Sequence, residues 1–196
     1  GGSQKAVSAP PGLTFVVVSD AAKEKMKNRK TPIASFYANL MAFDGYYEKK
    51  WFPYTMPISD IYGLRAAFNL IAEDATLYER HARIGSATRA AVKEAGLKLH
   101  LQSGFSNTVT VFDIPQCTDA KSILDTMRTK YNIMLAGSFD ELSGKVIRIG
   151  HMGENARLEH MVPTLEALSA TLTELGVTLK GNLADLFLKY YRKKEA

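Results

Sequence analysis

The segment GGSQKAVSAPPGLTFVVVS, residues 1–19, joins a lysine on a loop of small residues to a run of apolar residues. Residues 13–19 are almost continuously apolar and rich in β-branched side chains, which predicts a strand buried on both faces of a helix-covered sheet. Lys5 lies on the loop before this strand. An amine held at such a place can be desolvated and can form a Schiff base with a carbonyl compound.

The composition of the chain changes after a helix predicted over residues 75–95. Apolar residues spaced by three and four predict helices from about residue 59 and over residues 75–95. Further predicted elements are strands at 97–101, 108–114, 133–135 and 146–149, and helices after residue 118, near 157–175 and at 183–191. We therefore expect a small α+β domain over residues 76–196, preceded by the end of a different domain over residues 1–75.

Composition excludes several classes of protein. The 196 residues carry a formal net charge of +5, and the single cysteine excludes an internal disulfide framework. This cysteine content suits a reducing compartment, and we expect a cytoplasmic protein. No apolar run is long enough to span a membrane. The basic clusters at 23–30 and 192–194 lie on amphipathic segments with few aromatic residues, which favours a solvated face over a nucleic-acid site.

The strings GSQK, residues 2–5, and APPG, residues 9–12, resemble the class V, fold-type I aminotransferases that depend on pyridoxal 5'-phosphate. The branch that they resemble acts on alanine and glyoxylate or on serine and pyruvate. The resemblance implies that Lys5 is the catalytic lysine and binds the cofactor covalently. It also implies an α/β fold, in which the end of a large, mainly parallel-sheet domain precedes a small α+β carboxyl-terminal domain, and a homodimer.

The position of Lys5 within the chain predicts which part of an enzyme these residues form. In the family this lysine lies near mid-chain, so we expect these residues to be the carboxyl-terminal half of an enzyme. The family's acidic partner for the cofactor ring nitrogen, its stacking aromatic residue and its phosphate cradle all precede the lysine. We therefore expect the amino-terminal half of the same enzyme as a partner, and no transaminase activity without it.

Arg148 is the candidate for binding the substrate. It lies between apolar residues in a predicted strand, where an unpaired guanidinium is costly and must have a specific partner. Its planar pair of donors matches a carboxylate, although a structural salt bridge is the alternative for an arginine on a strand. The string RIG, residues 148–150, resembles the family's substrate-carboxylate arginine. His151 follows this turn, and we expect it to line the substrate pocket.

Thr55 is the third candidate. In the family, a tyrosine and a threonine three residues later reach the cofactor phosphate of the other subunit, and Thr55 matches the threonine. Phe52 occupies the tyrosine position without a hydroxyl group, so Tyr54 is the alternative donor. Thr55 is equally compatible with capping a turn before Pro57. The histidines lack the spacing of metal ligands, so we assign no metal.

The resemblance predicts a transaminase that moves an amino group from a donor such as alanine or serine to a 2-oxo acid such as glyoxylate or pyruvate. Other possibilities stay open. The strings RIGHMG, residues 148–153, and FPYT, residues 52–55, also resemble pyridoxamine–pyruvate aminotransferase, and other class V enzymes are related. A non-catalytic dimerisation module derived from such an enzyme is a second possibility. A basic nucleic-acid-binding module is a third, without a recognised motif.

Overall fold

A computed structural model describes residues 1–193, so Lys194 of the basic carboxyl-terminal cluster lies outside the described residues. By its internal contacts the chain divides into two compact units, Gly1–Leu70 and Ile71–Ala196. The structure is a mixed α/β fold, mostly helical, with a two-stranded antiparallel sheet. The domain boundary expected at residues 75 and 76 stays a prediction.

The first unit contains few regular elements. They are helix α1 (Asp20–Lys27), a 3₁₀ helix at Leu40–Phe43, and most of helix α2 (Ile58–Glu73). The predicted start of α2 is confirmed. Ser19 caps α1, because its backbone is extended and its side chain accepts a bond from the Ala22 N–H.

The prediction of a buried strand over residues 13–19 is wrong in this structure. Only Thr14 forms a bridge, with Gly2, and the side chain of Val17 is 97% exposed. A strand requires a neighbour that accepts and donates hydrogen bonds along its whole length. Within residues 1–193 the segment is paired only by the main chain of residues 1–3, which reaches no further than Phe15.

The second unit contains four further helices and both strands. In chain order they are α3 (Leu77–Glu94), β1 (Val109–Asp113), α4 (Ala120–Tyr131), β2 (Val146–Gly150), α5 (Leu158–Glu174) and α6 (Leu183–Arg192), with 3₁₀ turns at Asp140–Leu142 and Gly153–Asn155. Asp119 caps α4, and its side chain accepts a bond from the Ser122 N–H. The strands predicted at residues 97–101 and 133–135 are not formed, because that part of the chain contributes only the bridges Leu99–Phe112 and Ala136–Arg148.

The sheet has one face toward a hydrophobic core and one face away from it. The two strands are antiparallel, with Phe112 opposite Ile147 and Val111 opposite Arg148. Phe112 and Ile147 are fully buried, in a core that includes residues of α3, α4, α5 and α6. Because side chains alternate along a strand, Arg148 points to the other face. The strand register thus keeps Arg148 out of the apolar core.

The described residues contain neither a membrane-spanning helix nor a cluster of metal-binding side chains. No helix within residues 1–193 is both long enough and apolar enough to span a membrane. Within the same residues, no group of three or more His, Cys, Asp or Glu side chains is arranged to hold a metal ion.

Candidate cofactor-lysine and carboxylate-binding site

Ser3 is the centre of the loop that carries Lys5. Its side chain is fully buried, and its hydroxyl donates to the Pro10 carbonyl at 2.6 Å and accepts from the Leu13 N–H at 3.3 Å. Its main chain exchanges two further bonds, from its N–H to the Leu13 carbonyl and from the Ala9 N–H to its own carbonyl. These four bonds close a loop in which Lys5 lies at a turn.

The Lys5 side chain is exposed, and its amine makes no hydrogen bond or ion pair within residues 1–193. The amine is therefore free to react with a carbonyl compound. The desolvated surroundings expected for it are not provided by the residues of its own unit.

Tyr54 and Thr55 differ in what their hydroxyl groups can donate. The Tyr54 hydroxyl donates to the Phe36 carbonyl at 2.8 Å, and its ring lies edge-on to Phe52 with 6.2 Å between centroids. A phenol has one proton, so Tyr54 has none left for a phosphate in this conformation. That Tyr54 replaces the missing tyrosine donor stays a prediction, and it requires the bond to the Phe36 carbonyl to break. Thr55 is exposed, and its hydroxyl has no partner within the described residues.

The Arg148 guanidinium is held on one side only. Its Nε donates to the Gly137 carbonyl at 2.5 Å, and its Cζ lies 5.9 Å from the ring centroid of Phe139. The main-chain N–H of Arg148 donates to the Ala136 carbonyl at 2.7 Å. Within residues 1–193 no carboxylate pairs with the guanidinium and no acceptor contacts its terminal nitrogens. The structural salt bridge considered as the alternative is thus not formed, and the two terminal nitrogens are available to a planar anion.

His151 is buried and both of its ring nitrogens are occupied. Its Nδ1 contacts the Asn107 carbonyl at 3.1 Å, and its Nε2 contacts the Thr110 hydroxyl at 2.8 Å. A carbonyl only accepts, so Nδ1 carries the proton and Nε2 accepts from Thr110. In this conformation the ring ties together residues at the start of β1. The expectation that His151 lines the substrate pocket stays a prediction.

Burial lowers the pKa of His151 to about 4, because the charged imidazolium would be desolvated. The unfolded chain has the ordinary pKa of 6.5 at this residue, so protonation favours unfolding as the pH falls below 6.5. We expect the free energy of unfolding to fall by roughly 2–3 kcal/mol between pH 6.5 and about 4, since each pKa unit corresponds to about 1.4 kcal/mol. Urea denaturation at several pH values measures this change in the free energy of unfolding. His151→Gln should remove this part of the pH dependence, and an equally steep profile in that variant would contradict the assignment.

His81 is a residue of this region whose partner the sequence does not indicate. The helical apolar pattern places it on the buried side of α3, but not beside Gly153, which is 72 residues further along the chain. The Gly153 N–H donates to His81 Nε2 at 3.0 Å, while His81 Nδ1 contacts the Leu77 carbonyl at 2.7 Å. The turn that follows Arg148 is thereby attached to α3.

Comparison with known proteins assigns the family. The chain is 37% identical over 183 residues to an uncharacterized aminotransferase of Methanocaldococcus jannaschii, covering 91% of this chain and 47% of that protein. It is 37% identical over 180 residues to serine–glyoxylate aminotransferase of Arabidopsis thaliana, covering 89% and 44%. The crystal structure of ureidoglycine–glyoxylate aminotransferase from Bacillus subtilis matches with a TM-score of 0.89 and 30% identity, over 98% of this chain and 51% of that one. No protein-family model matches the chain.

These similarities cover most of the chain, and the structural match agrees with the fold. The chain belongs to the class V aminotransferase family, as the motif resemblance indicates. It spans about half the length of the curated relatives that it matches.

Proposed function

We propose that this chain is part of a pyridoxal-phosphate-dependent transaminase that moves an amino group from an alanine- or serine-type donor to a 2-oxo acid of the glyoxylate or pyruvate type. The Arg148 guanidinium carries this proposal. It is fixed through Nε and has two terminal nitrogens without a partner in residues 1–193. All four substrates share a carboxylate, which is the group that such a pair of donors binds best.

The residues present fit the cofactor. The Lys5 amine has no competing partner in the described residues, and the exposed Thr55 hydroxyl can donate to a phosphate. When bound, pyridoxal phosphate supplies an electron sink for the charge that develops at the substrate Cα. Lys5 would hold the cofactor covalently, and its free amine would carry the proton between the substrate Cα and the cofactor carbon.

The surface of the first unit supports a role for further protein partners. Many of its large apolar side chains are exposed, among them Val16, Val17, Phe36, Tyr37, Tyr47 and Trp51. Exposed apolar surface on this scale marks an interaction site, because its burial is favourable by about 25 cal/mol per Å². We propose that an amino-terminal half and a second copy of the enzyme cover it. In this arrangement residues 1–75 end a large parallel-sheet domain, and the chain alone is inactive.

An amino-transfer assay tests the function. The complete enzyme, loaded with pyridoxal phosphate, should convert glyoxylate to glycine with alanine or serine as the amino donor. It should convert pyruvate to alanine with serine as the donor. Lys5→Ala is the control and should abolish transfer. A folded, cofactor-loaded enzyme that transfers between none of these pairs would contradict the proposal, and transfer from pyridoxamine to pyruvate alone would favour the narrower alternative. Transfer by the 196-residue chain without its other half would contradict the proposed incompleteness.

A further inference from the structure

The turn after Arg148 is attached to the rest of the second unit by two buried histidines from different parts of the fold. His81 belongs to α3, and its side chain accepts a hydrogen bond from the Gly153 N–H. Its Nδ1 faces the Leu77 carbonyl, which can only accept, so the ring must carry its proton on Nδ1 and be neutral to make both bonds. Gly153 itself is buried and has a φ of 58°, a conformation that disfavours other residues.

His151 uses the same tautomer from within the turn. Its Nδ1–H donates to the Asn107 carbonyl and its Nε2 accepts from the Thr110 hydroxyl. Its main-chain N–H donates to the Thr108 carbonyl at 2.9 Å, which extends the pairing of β1 and β2 by one bond. His151 therefore ties the end of β2 to the start of β1 at three points, two through its ring and one through its main chain. The low pKa of His151 agrees with a ring that stays neutral.

Gly150, the last residue of β2, lies just before these two attachments and has little packing of its own. Gly150 is exposed, and a Cβ placed on it would meet no atom within 4 Å in the described part of the chain. The backbone after Arg148 is thus not positioned by side-chain contacts at Gly150. Pairing with β1 sets the path of the backbone as far as Gly150, and beyond it the path is set by the bonds at His151 and Gly153, three and five residues after the arginine.

We infer that His81 and His151 are positioning residues for Arg148. Their two neutral rings fix the 150–153 turn, and the turn fixes the strand end from which the guanidinium reaches the Gly137 carbonyl. The terminal nitrogens consequently keep one orientation before a ligand arrives, which lowers the entropic cost of binding it. The identity of that ligand as a substrate carboxylate rests on the proposed function, whereas the orientation of the guanidinium does not.

The test observes the Arg148 Nε–H directly, by ¹⁵N nuclear magnetic resonance of the 196-residue chain without substrate. His81→Leu removes the acceptor for Gly153, and we expect exchange of the Arg148 Nε–H with solvent to become about tenfold faster, because a loosened turn lets its bond to the Gly137 carbonyl open more often. His81→Gln retains an acceptor oxygen and should restore slow exchange to within about twofold. His160→Leu, at an exposed histidine of α5, is the matched control and should change nothing.

A second variant covers the case in which His81→Leu fails to fold. Thr110→Val removes the donor to His151 Nε2, and we expect a change of the Arg148 Nε–H in the same direction. An unchanged Arg148 signal in the folded variants would overturn the inference, as would an Nε2–H tautomer at either histidine in the unmodified chain. Failure of the complete enzyme to transfer amino groups would instead count against the proposed function, and it would leave this signal unaffected.

Discussion

Replacing Arg148 by glutamine should raise the KM of the complete enzyme for its 2-oxo acid by roughly 10²- to 10⁴-fold. The guanidinium offers two charge-assisted hydrogen bonds to a carboxylate, each worth about 1.5–3 kcal/mol. Glutamine keeps neither the charge nor the paired donors. Steady-state kinetics with varied glyoxylate or pyruvate measures the effect, and kcat should change less than KM where the lost contact serves substrate and transition state alike.

One further substitution separates the contribution of the paired donors from that of the positive charge, and a second serves as its control. Arg148→Lys keeps a positive charge without the planar pair of donors, so its KM should lie between those of the unmodified enzyme and the glutamine variant. Arg128→Gln is the matched control, because Arg128 is an exposed arginine of α4 paired with Asp125. It should leave KM within about twofold, since exposed ion pairs contribute little. A normal KM in Arg148→Gln would show that the carboxylate is bound elsewhere.

Leu168→Ala should lower the free energy of unfolding of the second unit by about 2–5 kcal/mol. Leu168 lies on α5, is fully buried, and belongs to the core beneath the sheet. The substitution removes buried apolar surface and leaves a cavity that the surrounding helices fill only in part. Urea denaturation followed by circular dichroism measures the change.

Leu101→Ala is the control for this prediction, because it makes the same chemical change at a leucine that is 46% exposed. It should cost less than about 1 kcal/mol, since surface substitutions have small effects. Equal losses in the two variants would contradict the assignment of Leu168 to the core.

The helices of the second unit could be predicted from the sequence, whereas most of the strands could not. Helices α3 and α5 carry apolar residues at intervals of three and four, and that local pattern is enough to define them within about two residues. A strand also depends on a neighbour that is distant in sequence. The apolar residues 13–18 are typical of a buried strand, but the described chain supplies pairing only to their first part.

The candidate residues could likewise be recognised from short motifs, whereas their hydrogen-bond partners, which are distant in sequence, could not. Lys5 and Arg148 lie in short strings that can be recognised without a structure. The hydroxyl partner of Tyr54 is 18 residues away, and the Gly153 partner of His81 is 72 residues away, so neither bond could be inferred from spacing. The choice between a salt bridge and a free guanidinium at Arg148 likewise required the positions of all nearby carboxylates.

The most direct test of the account is to identify which lysine binds the cofactor. The complete enzyme is incubated with pyridoxal phosphate, reduced with borohydride, digested and mapped by mass spectrometry. The account predicts that the reduced cofactor is found on Lys5, with little on exposed lysines such as Lys23 and Lys25, and that Lys5→Arg eliminates it. Label distributed over the surface lysines, with Lys5 modified no more than the others, would contradict the assignment of this chain to the catalytic part of a transaminase.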